Sequence, residues 1–134
     1  TIATTGNAQD FGDLINSRHT RSSGMASPTR GLFQGGSLSP GTNRVDNVDY
    51  IEIATTGNSK DFGDLFYARE HVGAVSNSTR GVWFGGVTPT YQTDIQYAII
   101  ATTGSAANWG DLNIPFNVPK GYVSGASDSH GGLV

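Results

Sequence analysis

Carboxylates at regular spacing are the residues of this chain best placed to do chemistry. Asp10 and Asp13, Asp61 and Asp64, and then Asp111, recur with an aromatic-Gly pair between or before them. Carboxylates three apart in a turn can converge on calcium. They can equally cap turn amides through their side chains. No dense Asp/Asn/Gly calcium loop surrounds them, so capping is the reading the sequence favours and no metal is expected. Asp61-Phe62-Gly63 also spells the metal-binding triplet of protein kinases, but it recurs as Asp10-Phe11-Gly12. Neither a glycine-rich loop with a strand lysine nor a His-Arg-Asp motif accompanies it, so it is a feature of a repeat.

The other reactive types are sparse. His19, His71 and His130 occupy different places relative to their neighbours and share no carboxylate at fixed offset, which argues against a metal or triad role. The chain has no cysteine, which removes disulfides, thiolate metal sites and cysteine nucleophiles. Three basic residues are spaced more suggestively. Arg18, Arg69 and Lys120 stand 51 positions apart both times. They are expected either as hydrogen-bond donors between repeats or as a charged ring for an anionic partner.

Those positions belong to a pattern covering the whole chain. A short apolar stretch runs into Ala-Thr-Thr-Gly and then an aromatic-Gly-Asp-Leu, beginning at Ile2, Ile53 and Ile100. A period of about 50 residues indicates a repeat architecture. Each repeat reads as four short strands: a small-residue strand such as Gly24 to Ser27, a second ending in paired glycines (Gly35-Gly36, Gly85-Gly86), a third carrying Tyr50 or Tyr97, and a fourth holding Phe11, Phe62 or Trp109. The aromatics are expected in the core. No window sustains helical periodicity, so an all-β chain with almost no helix is predicted.

With 134 residues, 36% hydrophobic and 14% charged, the chain suits one domain over residues 1–134. The net charge of −3 comes from scattered residues, with no basic stripe for nucleic acid and no apolar run long enough for a membrane helix.

The order of basic residue, double glycine, tyrosine and aromatic resembles the kelch-type blade of a β-propeller, and the wording Ile-Ala-Thr-Thr-Gly-Asn with Asp-Phe-Gly-Asp-Leu is similar to kelch-like repeats of structural or tail-associated proteins of tailed phages. The resemblance implies antiparallel four-stranded blades, about three blades' worth here, the first and last incomplete. Closed propellers use about four to eight blades. The ring would therefore be completed by a second copy or a longer parent chain, through the apolar flanks of the terminal blades.

The resemblance further implies a non-enzymatic virion or extracellular component without cofactor, since neither the Cys-linked tyrosine of a galactose oxidase-type site nor a sialidase arginine triad is visible. Partners would be other virion proteins, a second copy, or a host surface glycan. A cellular lectin-type or protein-interaction propeller is the alternative. Contact residues are expected in two polar loops. The first holds Ser39, Thr42, Asn43 and Arg44, and the second Thr88, Thr90, Tyr91 and Gln92.

Overall fold

A computed structural model describes residues 5–21, 24–39, 42–113 and 121–126. Ten strands and no helix occur among them. Strands β1 (Met25–Ala26), β2 (Arg30–Gln34), β5 (Asn47–Glu52) and β6 (Lys60–Asp64) form a four-stranded antiparallel sheet in that spatial order. Strands β7 (Gly73–Ser76), β8 (Arg80–Phe84), β9 (Asp94–Ile99) and β10 (Ala107–Asp111) form a second with the same order. Each sheet is one turn of the sequence repeat.

Short β-branched and aromatic stretches make these strands, and glycine ends them. Gly35, Gly36, Gly85 and Gly86 all have positive φ, a region side chains disfavour. The Thr-Thr-Gly segment turns the chain from third to fourth strand, with Thr55 N–H donating to the Glu52 carbonyl and Thr102 N–H to that of Ile99.

The core lies between the two sheets. The β2–β5 face bearing Leu32, Val48 and Tyr50, with Phe62 on β6, packs toward sheet two, whose inner face carries Trp83 and Ala98. The other face of sheet one, with Phe33 and Ile51, receives Phe11 and Leu14 from residues 5–21. β5 is thus covered on both faces, as a strand apolar on both sides requires.

Small residues permit the close approach at the junction. A Cβ on Gly81 would lie 1.9 Å from Met25 Sδ, and Ser76 Oγ donates to the Ala26 carbonyl. The junctions also repeat. Gly57 and Ser59 N–H groups donate to the carbonyls of Phe11 and Asp13, and Gly104 and Ala106 to those of Phe62 and Asp64.

Three expectations are corrected. The segment around Phe11 is not a sheet strand: its backbone carbonyls accept from Gly57 and Ser59 without forming a ladder, and no third strand lies beside it among the described residues. Ser37 to Arg44, read as a loop, contains a strand pair, β3 (Ser37–Ser39) with β4 (Thr42–Arg44), because Ser37 pairs with Arg44 and Ser39 with Thr42 in antiparallel register. Trp109 is 54% exposed where its counterpart Phe62 is 2% exposed, because a following sheet covers β6 and none covers β10 among the described residues.

Gly63 shows how tight the junction is. At φ 143° it faces the Gly104 carbonyl, and an added Cβ would sit 2.5 Å from that oxygen. Gly63→Ala should cost about 2–3 kcal/mol of stability in urea unfolding. Gly6→Ala, where a Cβ meets nothing within 4 Å, should leave the midpoint unchanged.

Candidate functional site

The repeated basic residues lie at the junctions. Arg18 crosses from the leading segment into sheet one, where Nη1 donates to Asp49 Oδ1 at 3.2 Å and Nη2 to the Phe33 carbonyl at 3.2 Å. Both side chains are completely buried. Arg69 makes the same crossing into sheet two, with Nη1 at 3.1 Å and Nη2 at 2.8 Å from the two Asp94 oxygens, and Nη1 at 2.9 Å from the Gly85 carbonyl. Two-pronged contact of this kind suits a planar guanidinium. Arg18 and Arg69 are therefore donors between repeats, and Lys120 lies outside the described residues.

The two junctions solve one problem with different residues. Asp49 does two tasks: it pairs with Arg18 and accepts the Ile15 N–H at 3.1 Å. Its counterpart in the second repeat is Gln96, whose Oε1 accepts the equivalent Phe66 N–H at 3.1 Å. A neutral amide cannot balance the arginine, and the carboxylate stands two residues earlier at Asp94, on the same face of β9. Gln96 Nε2 donates to Asp94 Oδ2 and joins the two halves. Sequence inspection missed Asp49, Asp94 and Gln96; polar residues inside otherwise apolar third strands were the available signal.

Glu70 was also missed. It is buried, accepts from Ser37 Oγ at 3.2 Å and Arg44 Nε at 3.1 Å, and lies 3.9 Å from Arg21. Arg44, expected as a loop contact, is thereby held against the second repeat. Thr42 and Asn43 are exposed on β4, Asn43 with φ 52°, and Ser39 closes β3 against Thr42.

The second loop is stapled from within. Gln92 Nε2 lies within hydrogen-bond distance of Thr88 Oγ1 (2.9 Å), the Thr90 carbonyl (3.1 Å) and Thr90 Oγ1 (3.2 Å). Its N–H donates to the Gly86 carbonyl. Pro89, Thr90 and Tyr91 are the exposed residues of the loop, Tyr91 by 48%. Tyr91, Val87, Pro89, Thr90 and Tyr122 line an open cleft of about 430 Å³. The Tyr122 ring lies 4.0 Å from that of His71. The loop therefore presents aromatic faces beside threonine groups.

Of the repeated carboxylates, Asp10 caps a turn amide, whereas Asp61 and Asp64 lie on β6 and Asp111 on β10, where it accepts from Thr93 Oγ1. Asp10 Oδ1 accepts the Gly12 N–H, and Asn108, at the equivalent place, accepts that of Gly110. Among the described residues, no group of three histidine or acidic side chains is arranged to hold a metal ion. No protein-family model matches the chain, and no curated protein matches it. Over its described residues it is an all-β protein with two four-stranded antiparallel sheets and a buried arginine at each junction.

Removing the Asp49 carboxylate leaves a buried guanidinium uncompensated. Asp49→Ala should therefore lower stability by about 3–5 kcal/mol, read by denaturant unfolding. Asp64 shifts the other way. Lost solvation first, then the charges of Asp46 and Asp61, raise its carboxyl above the usual 3.8. A raised folded-state value favours folding below the ordinary value and is lost as pH rises through the raised one, so ionised Asp64 opposes folding at neutral pH. Asp64→Asn should raise the melting temperature at pH 7, and the gain should vanish near about pH 3.

Proposed function

We propose that the chain is a segment of a kelch-like β-propeller serving as a non-enzymatic virion structural or host-attachment component. The observation that carries this reading is the repetition of the junction. Two sheets of the same strand order are joined to what precedes them by the same buried arginine and the same pair of backbone contacts. Units stacked in this way make a rigid scaffold whose loops are held in fixed positions. The internal bonding of Gln92 and the Arg44–Glu70 pair favour such rigidity.

Display is the mechanism. The scaffold holds Tyr91 and the cleft it shares with Tyr122 toward a partner, and exposed aromatic faces beside hydroxyl groups suit a host surface glycan or a neighbouring virion protein. The same cleft supports the second reading, a cellular lectin-type or protein-interaction propeller.

Mass spectrometry of purified virions should recover this chain at a fixed stoichiometry, and absence from particles would defeat the virion reading. Glycan-array binding that falls at least about tenfold in Tyr91→Ala, with an unchanged melting temperature, would place ligand contact at the cleft. Binding unaffected by Tyr91→Ala would exclude the cleft as the contact.

A further inference from the structure

Glu70 ties together the two loops that face outward at the double-glycine end of the sheets. Its carboxylate accepts from Ser37 Oγ at 3.2 Å and holds Arg44 by Nε at 3.1 Å and Nη2 at 3.0 Å. Both partners belong to the β3–β4 hairpin. The backbone of Glu70 serves the other loop. Its N–H donates to the Val87 carbonyl at 3.1 Å, the Val87 N–H donates back at 2.8 Å, and Val87 bridges in turn to Tyr91. The Tyr91 backbone therefore stands about 10 Å from that of Glu70, two strand spacings away.

The charge around Glu70 does not balance. Arg44 and Arg21 both face its single carboxylate, and among the described residues neither pairs with a second one. One positive charge is left in excess. It falls on Arg21, whose Nη1 lies 3.9 Å from Glu70, beyond hydrogen-bond distance, and whose side chain is 42% exposed. A guanidinium with its fork unused suits a carboxylate from outside.

Tyr91 offers a different contact. A Cβ on Gly121 would lie 2.4 Å from two ring carbons of Tyr91, so the glycine lets the ring rest against bare backbone. The ring is backed from one side while the residue stays half exposed. Thr42, Asn43 and Thr90 are exposed on the same two loops, and no lysine, aspartate or glutamate is exposed there among the described residues. A fixed ring, hydroxyl and amide groups, and one spare cation fit a sugar chain that carries a negative charge better than they fit an apolar protein surface.

We propose that the hairpin and the Thr88–Gln92 loop form one site around Glu70 for an oligosaccharide bearing a carboxylate. Arg21 takes the carboxylate, Tyr91 stacks on another ring of the same chain, and Glu70 is the positioning residue that sets the distance between them. The proposal rests on the display reading above and narrows its glycan branch.

The test is a glycan array probed with the 134-residue chain. It holds glucuronate against glucose, galacturonate against galactose, and sialylated glycans beside their desialylated forms, so that the source of the carboxylate is read as well. Acidic members of one of these sets should bind at least about fivefold more tightly, and the preference should shrink as salt is raised. Arg21→Ala should abolish the preference and Arg21→Lys keep part of it, both at an unchanged melting temperature. Tyr91→Ala should weaken acidic and neutral members alike by about tenfold. Equal binding within every pair, or a preference that survives in Arg21→Ala, would overturn the proposal while binding through Tyr91 left the display reading standing. Binding of no glycan would overturn it too. So would crosslinking of p-benzoylphenylalanine in place of Tyr91 to a protein of purified virions, which supports the protein branch of that reading instead.

Discussion

A buried guanidinium at each repeat junction is the constraint on which the rest of this structure depends. An arginine stripped of water is tolerated only with a carboxylate and further acceptors in place. Arg18 and Arg69 each meet that condition with one aspartate and one backbone carbonyl from the next sheet. Because every donor lies on one unit and every acceptor on the next, the pair sets how neighbouring sheets sit. The glycine pairs follow from the same closeness: a Cβ on Gly35 would lie 2.5 Å from the Arg69 carbonyl, and one on Gly36 the same distance from that of His19.

The two junctions also separate what the architecture demands from what a position demands. A negative charge must reach the arginine and an acceptor must meet the backbone amide of Ile15 or Phe66. One residue, Asp49, does both in the first repeat, whereas Asp94 and Gln96 share the work in the second. Residues i and i+2 of a strand face the same side, so the charge can move two places without leaving the junction. A repeat can therefore keep its interactions while its wording drifts.

Rigidity at the junctions governs the loops. The hairpin β3–β4 is tied to the second repeat through Arg44 and Glu70, and the Thr88–Gln92 loop is bonded within itself. Exposed rings stand at two of the surfaces left open, Tyr91 and Tyr122 at the cleft and Trp109 on the outer flank. These two surfaces differ in kind. The cleft mixes rings with threonine groups, whereas the flank reproduces a face already buried elsewhere in the same chain.

Much of the strand plan was legible before the fold. The double glycines, the tyrosine strand, the small-residue strand and the Thr-Thr-Gly turn all depend on local chemistry, which a sequence displays directly. The spacing of Arg18 and Arg69 announced a shared role. Which role it was, and where the balancing carboxylate stood, came only with the packing, because Asp49 and Asp94 are not equivalent positions and a polar residue in an apolar strand does not say which partner it meets. Glu70 was invisible for the same reason: its partners Ser37 and Arg44 lie 33 and 26 residues away. Phe62 and Trp109 are read alike by local pattern, yet one is buried and the other open. Local preference sets the strands and turns; burial depends on which neighbour covers a face, and that is a property of the assembled sheets.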